Sequence, residues 1–150
     1  MMTWAVSGEA GPAHRPLRIA VIGSAVADVE TSAVAQSVGR ALGRAEALLV
    51  CGGGGGVMAA AAEGASAEGG QVLGILPGDD PERAAGGVTI PLPTGLGEAR
   101  NFLVVRAAEA VIAVAGGWGT LNEAAHCMKI GRPLVGVHDR LGDRFEIERF

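Results

Sequence analysis

Ala47-Leu48-Leu49-Val50 runs into Cys51-Gly52-Gly53-Gly54-Gly55-Gly56, and Val111-Ile112-Ala113-Val114-Ala115 runs into Gly116-Gly117-Trp118-Gly119-Thr120. In both places a short apolar run ends in glycines and a helical pattern follows. Short apolar runs bounded by glycine read as buried strands. A strand that ends in glycines and opens a helix leaves bare backbone N–H groups at the helix's positive end. That setting suits a phosphate or another anion. One such turn is a weak signal. Two on one parallel sheet point to an anionic, nucleotide-like ligand.

Working outward, the same alternation covers most of the chain. Arg18-Ile19-Ala20-Val21-Ile22-Gly23 reads as a buried strand ending in the turn Gly23-Ser24-Ala25, and residues 31–44 as a helix with Val34, Val38, Ala41 and Leu42 on one face, extended by Ala45. Residues 57–68 form an Ala-rich helix that stops near Gly69-Gly70. Strands follow at 71–76, at 88–90 (halted by Pro91 and Pro93), at 110–115 and at 133–137, with helices at 98–109 and 119–130. Strands alternating with helices mean an α/β, Rossmann-like three-layer α/β/α fold, with a mainly parallel sheet of about six strands. Residues 1–16 lack periodicity and read as a flexible leader, leaving 17–150 as one Rossmann-like nucleotide-binding domain. In such folds ligands sit at the carboxyl ends of the strands, where both glycine clusters fall.

Composition narrows the partners. The chain has 150 residues, a net charge of −4, 3% aromatic residues and 25 glycines. Low aromatic content argues against a base-stacking nucleic-acid surface, and mild acidity gives no pull toward nucleic acid or anionic membranes. Cys51 and Cys127 have neither metal-ligand nor disulfide spacing and read as buried thiols. His14 and His138 lack partners at a useful spacing, so no metal site is expected. No targeting or membrane-spanning segment is recognisable, so the expected setting is cytoplasmic.

Candidate site residues cluster around the turns. Gly23 and Ser24 close the first strand, Gly53, Gly54, Gly55 and Gly56 with Met58 follow the second, and Gly116, Gly117, Trp118, Gly119 and Thr120 follow the fifth. The run at 52–56 has no Lys-Ser/Thr ending and is not a Walker loop; the first strand lacks a clean G-x-G-x-x-G. Thr120-Leu121-Asn122-Glu123 has the spacing of a capping box, and Glu123 is also placed to act as a general acid or base or to hold a sugar hydroxyl. Arg100 stands in the first turn of its helix, against the dipole, which calls for an anionic partner: Glu98, Glu123 or a bound phosphate. Asn101 beside it can donate and accept hydrogen bonds. Cys127 and His126 are adjacent on one helix and cannot face each other as a catalytic pair. Trp118 is either a lid for a ring-shaped ligand or an oligomer contact.

Gly116-Gly117-Trp118-Gly119-Thr120-Leu121-Asn122-Glu123 resembles the P-G-G-x-G-T-x-x-E signature of the Lonely Guy superfamily, whose members are often labelled lysine decarboxylases. Arg100-Asn101 and Arg106 stand where that family has its arginine-lysine motif and a further arginine, and 51–58 resembles its G-G-G-x-x-G-x-M loop. Together these motifs cover roughly 18–138. The resemblance implies phosphate-holding glycine turns and, in the phosphoribohydrolase members, catalysis by the residues at Arg100 and Glu123, releasing free base from nucleoside 5'-monophosphates such as cytokinin ribotides. Ala115 stands in place of the signature proline and Asn101 in place of the lysine. Those departures look more like the branch similar to molybdenum cofactor carrier proteins, which bind a phosphorylated pterin or nucleotide without known turnover. The leading expectation is therefore a binding protein with no required cofactor, holding a nucleotide or a molybdopterin-type ligand and forming a homo-oligomer, dimer or tetramer. Leu121, Ala125 and Met128 offer apolar material for such a contact. A phosphoribohydrolase is the first alternative and a non-catalytic interaction module the second. Family members usually continue further, so 139–150 reads as a truncated end.

Overall fold

The computed structural model describes residues 15–138 and the backbone of Glu148–Arg149; most of the leader and most of the tail lie outside the described residues. The chain runs β1 (Arg18–Gly23), α1 (Val29–Arg44), β2 (Leu48–Cys51), α2 (Val57–Ala67), β3 (Val72–Leu76), β4 (Ile90–Pro93), α3 (Arg100–Ala107), β5 (Ala110–Val114), α4 (Trp118–Ile130), β6 (Leu134–Val137) and β7 (Glu148–Arg149). The strands form one sheet in the order β4-β3-β2-β1-β5-β6-β7. Every pairing is parallel. This is the expected Rossmann-like α/β fold, with β7 as a short addition at one edge.

Period-2 alternation sorts the strands into two cores. Val21, Leu49, Cys51, Val72 and Val114 face α2 and α1, while Ala20, Ile22, Val50, Ile75, Val111 and Ala113 face Val104, Val105, Ala124 and Cys127 of α3 and α4. Both faces of the central strands are thereby dry, which is why they read as continuous apolar runs.

Three local readings are corrected. The buried stripe of α1 is Thr31, Ala35, Gly39 and Gly43; Val34, Val38 and Leu42 only flank the core, and Ala41 and Ala45 are exposed. The reason is that α1 and α2 meet backbone to backbone. A Cβ on Gly39 would overlap the Ala61 carbonyl, and one on Gly64 the Gln36 carbonyl. Glycine carries no apolar side chain, so hydrophobic periodicity points beside the contact. The second correction is β4, which runs through Pro91 and Pro93. As an edge strand it pairs on one side only, and missing N–H groups are tolerated on the open side. The third concerns α4, which starts at Trp118 with Gly117 as N-cap and no side-chain cap. Thr120 and Glu123 therefore lie inside the helix and form no capping box.

Candidate functional site

A cleft of about 250 Å³ opens at the carboxyl ends of the central strands. β1 and its following turn contribute Val21, Ile22, Gly23, Ser24 and Ala25; the β2–α2 segment gives Gly52 and Met58; α3 gives Arg100 and Asn101; the start of α4 gives Gly117, Gly119, Thr120 and Glu123. Four separate stretches singled out in the sequence thus meet in one place.

Arg100 is the centre of the arrangement. A 3-10 turn at Gly97–Ala99 leads into it, and its guanidinium occupies the space that Gly52 leaves by having no side chain. A Cβ on Gly52 would overlap Arg100 Nη1 and approach the Met58 sulfur to 2.8 Å. Arg100 Nε is buried and has no hydrogen-bond partner. Burial pushes the guanidinium below its ordinary value, while Glu123 and Cys51 act the other way. A cation that is half-buried, fixed in position and short of an acceptor is a ready anion partner.

Glu123 is 9% exposed. Burial pushes its carboxyl up to about 7, against the pull of Arg100. None of the ion pairs among the described residues joins it to Arg100, so their attraction acts across the cleft rather than through a contact. Cys51 and Cys127 are buried free thiols, each pushed up to about 11 by burial. Neither is a nucleophile at neutral pH.

The two glycine turns are built differently. In the first, Gly53 would meet Leu76, Gly54 Met58, Gly55 the Ala25 carbonyl and Gly56 the Ser24 carbonyl if a Cβ were added. The first amide of α2, Val57 N–H, donates to Ser24 O at 3.0 Å. In the second, Cβ atoms at Gly117 and Gly119 would meet nothing within 4 Å. The N-cap Gly117 makes no side-chain cap bond, and the amides of Gly119 and Thr120 in the first turn have no acceptor within the helix. Of the candidates, Gly23, Ser24, Met58, Arg100, Asn101, Gly117, Gly119, Thr120 and Glu123 line the cleft, whereas Gly53, Gly54, Gly55, Gly56, Gly116 and Trp118 do not. Gly116 packs against the Thr120 side chain, and Trp118 is 80% exposed beside the mouth. Gly52 belongs to the glycine run at 52–56, but its pairing with Arg100 carries no local signal, because it depends on an arginine far along the chain. The cleft also takes in Val21, Ile22 and Ala25, which as plain strand and turn residues carry no distinguishing signal in sequence.

Fold and cleft together define a Rossmann-like domain with an open cleft at the carboxyl ends of its strands. The sequence model of the SLOG cluster4 family matches residues 16–149, and the chain belongs to that family, within the Lonely Guy/SLOG superfamily. An uncharacterised protein of Archaeoglobus fulgidus is 39% identical over 121 residues, 81% of this chain and 80% of that one. The molybdenum cofactor binding protein of the phototrophic bacterium Rippkaea orientalis is similar in structure, with a TM-score of 0.81 and 33% identity over 84% of this chain and 78% of that one. The molybdenum cofactor carrier protein of Chlamydomonas reinhardtii gives a TM-score of 0.79 and 32% identity over 84% and 79%. Among the described residues no helix is long and apolar enough to cross a membrane.

Proposed function

We propose that the chain binds a phosphorylated pterin or nucleotide, of the molybdopterin type, in this cleft. The observation that carries the reading is Arg100: a cation held in place over Gly52, with a buried Nε that lacks an acceptor. The start of α4 brings Gly119 and Thr120 to the cleft beside it, so a phosphate between Arg100 and the amides of those two residues gains charge-assisted hydrogen bonds from two sides. Similarity to the molybdenum cofactor proteins favours a pterin over other heterocycles. Calorimetry with phosphorylated pterin and with nucleoside monophosphates tests the proposal. Binding that is weakened at least tenfold in Arg100→Ala is expected, since a charge-assisted bond contributes about 1.5–3 kcal/mol. Equal affinity in wild type and Arg100→Ala would sink it.

One observation favours a second reading. A carboxyl near pH 7 beside an arginine has the properties of a general acid or base. On that reading the chain is a nucleoside monophosphate N-glycosidase, and Glu123 assists an oxocarbenium-like transition state. Free base released from AMP by the wild type, and absent with Glu123→Gln, supports it; tight binding with no base released supports the carrier. Assembly as a homo-oligomer, in the cytoplasm, goes with either reading. Exposed Phe102, Leu103, Trp118 and Met128 support the assembly, and light scattering on the eluting protein tests it.

A further inference from the structure

Arg100 and Glu123 are the charged side chains lining the cleft. With both ionised, the lining carries no net charge. An arriving anion then meets a carboxylate that is removed from water, and like charges repel strongly in such a setting. With Glu123 protonated, Arg100 is an uncompensated cation and the carboxyl can donate a hydrogen bond. The guanidinium lies in the space that Gly52 leaves open, within the same cleft lining as the carboxyl. Resting on the ligand reading above, we propose that Glu123 is a specificity-determining residue: the cleft takes its ligand as an anion together with one proton, which passes from solvent to the Glu123 carboxylate on binding.

The groups facing Glu123 leave this balance to one pair. Arg100 faces it from α3, Cys51 from β2 and Cys127 from its own helix. Both thiols stay protonated near neutrality. Glu123 itself is poised there, since burial pushes it up to about 7. Affinity should therefore fall as pH rises. Ionisation of a phosphate monoester, whose second pKa is about 6, would drive affinity the opposite way.

Sulfate keeps its charge across this range and is the probe of choice. Calorimetry of sulfate binding to the intact chain, between about pH 6 and pH 8, should show affinity falling about tenfold, the limit for uptake of one proton by a group titrating near 7. Repeating the titration in buffers of different ionisation heat should show net proton uptake. In Glu123→Gln the slope should flatten, with thermal unfolding confirming that the variant folds. Should that variant not fold, the slope and proton uptake of the wild type decide alone. Binding that depends on Arg100 but is constant or tighter at high pH overturns the role of Glu123 while leaving the ligand reading intact. No binding of sulfate, AMP or phosphorylated pterin at any pH, or binding indifferent to Arg100→Ala, overturns both.

Discussion

The two glycine turns look interchangeable as sequence and are opposites as structure. The turn at 52–56 is filled by its own protein: Arg100 lies over Gly52, and Ser24 and Ala25 press on Gly56. The turn at 116–119 is open at Gly117 and Gly119, and Gly117 brings no side-chain cap to its helix. Glycine thus serves two ends, close approach of backbone to backbone in one place and unobstructed amides in the other. The first turn builds the wall of the cleft; the second faces into it.

Substituting the same small residue in each turn breaks or sharpens that contrast. Gly56→Ala should be the most damaging change. Its φ of 61° disfavours a side chain, and the added Cβ overlaps the Ser24 carbonyl. The left-handed backbone and the overpacking together should cost about 3 kcal/mol, read as a lower urea midpoint. If Gly56→Ala unfolds like wild type, the first turn is looser than described.

The cleft between the turns carries a cost of its own, visible in pH. The Glu123 pKa is higher in the folded than in the unfolded chain, so the folded state binds more protons between about pH 4.5 and pH 7. Stability should fall as pH rises through that window and level off above it. The full penalty is about 3 kcal/mol at most. Glu123→Gln should remove it, so the variant gains on wild type at pH 8 and loses that advantage near pH 4. An unchanged difference across the range would count against a buried, neutral carboxyl.

Gly117→Ala should act on binding rather than folding. Its Cβ meets nothing, so the unfolding midpoint should shift by less than about 0.5 kcal/mol. On the proposed function ligand affinity should nonetheless drop, because Gly117 lines the cleft and the methyl takes up space there. A modest effect of opposite sign is expected just before that turn. Ala115 has φ 47°, a conformation costing a non-glycine residue about 1–2 kcal/mol. Ala115→Gly should therefore stabilise by about 0.5–1 kcal/mol after the added freedom of the unfolded chain is subtracted. A destabilised Ala115→Gly would mean that the backbone there is not strained.

The same φ explains why a departure visible in sequence matters. Proline is locked near −65° and could not occupy position 115 in this turn. The parallel sheet, the succession of the first six strands along the chain and the gathering of Arg100 with the second glycine turn at the strand ends are legible, because strand periodicity and strand-end glycines are local signals. The pairing of Gly52 with Arg100 is not, since it joins residues distant in sequence through a space that no side chain marks. The capping box at Thr120 misled for a related reason: the spacing is right, but the helix begins two residues earlier, at Trp118. The α1 stripe failed because the closest contact in that layer is made by residues with almost no side chain.

That backbone contact between α1 and α2 also bears on how the chain can change over generations. At Gly39 and Gly64 even a methyl group runs into a carbonyl, so every single substitution there is blocked at its first atom. Ala41, on the exposed side of α1, and the exposed C-cap residue Ala45 meet no such barrier. A population of variants selected only for folding should keep the two glycines nearly invariant while the outer face of α1 drifts freely. The record of constraint in this layer would then be written in its smallest residues rather than in its largest.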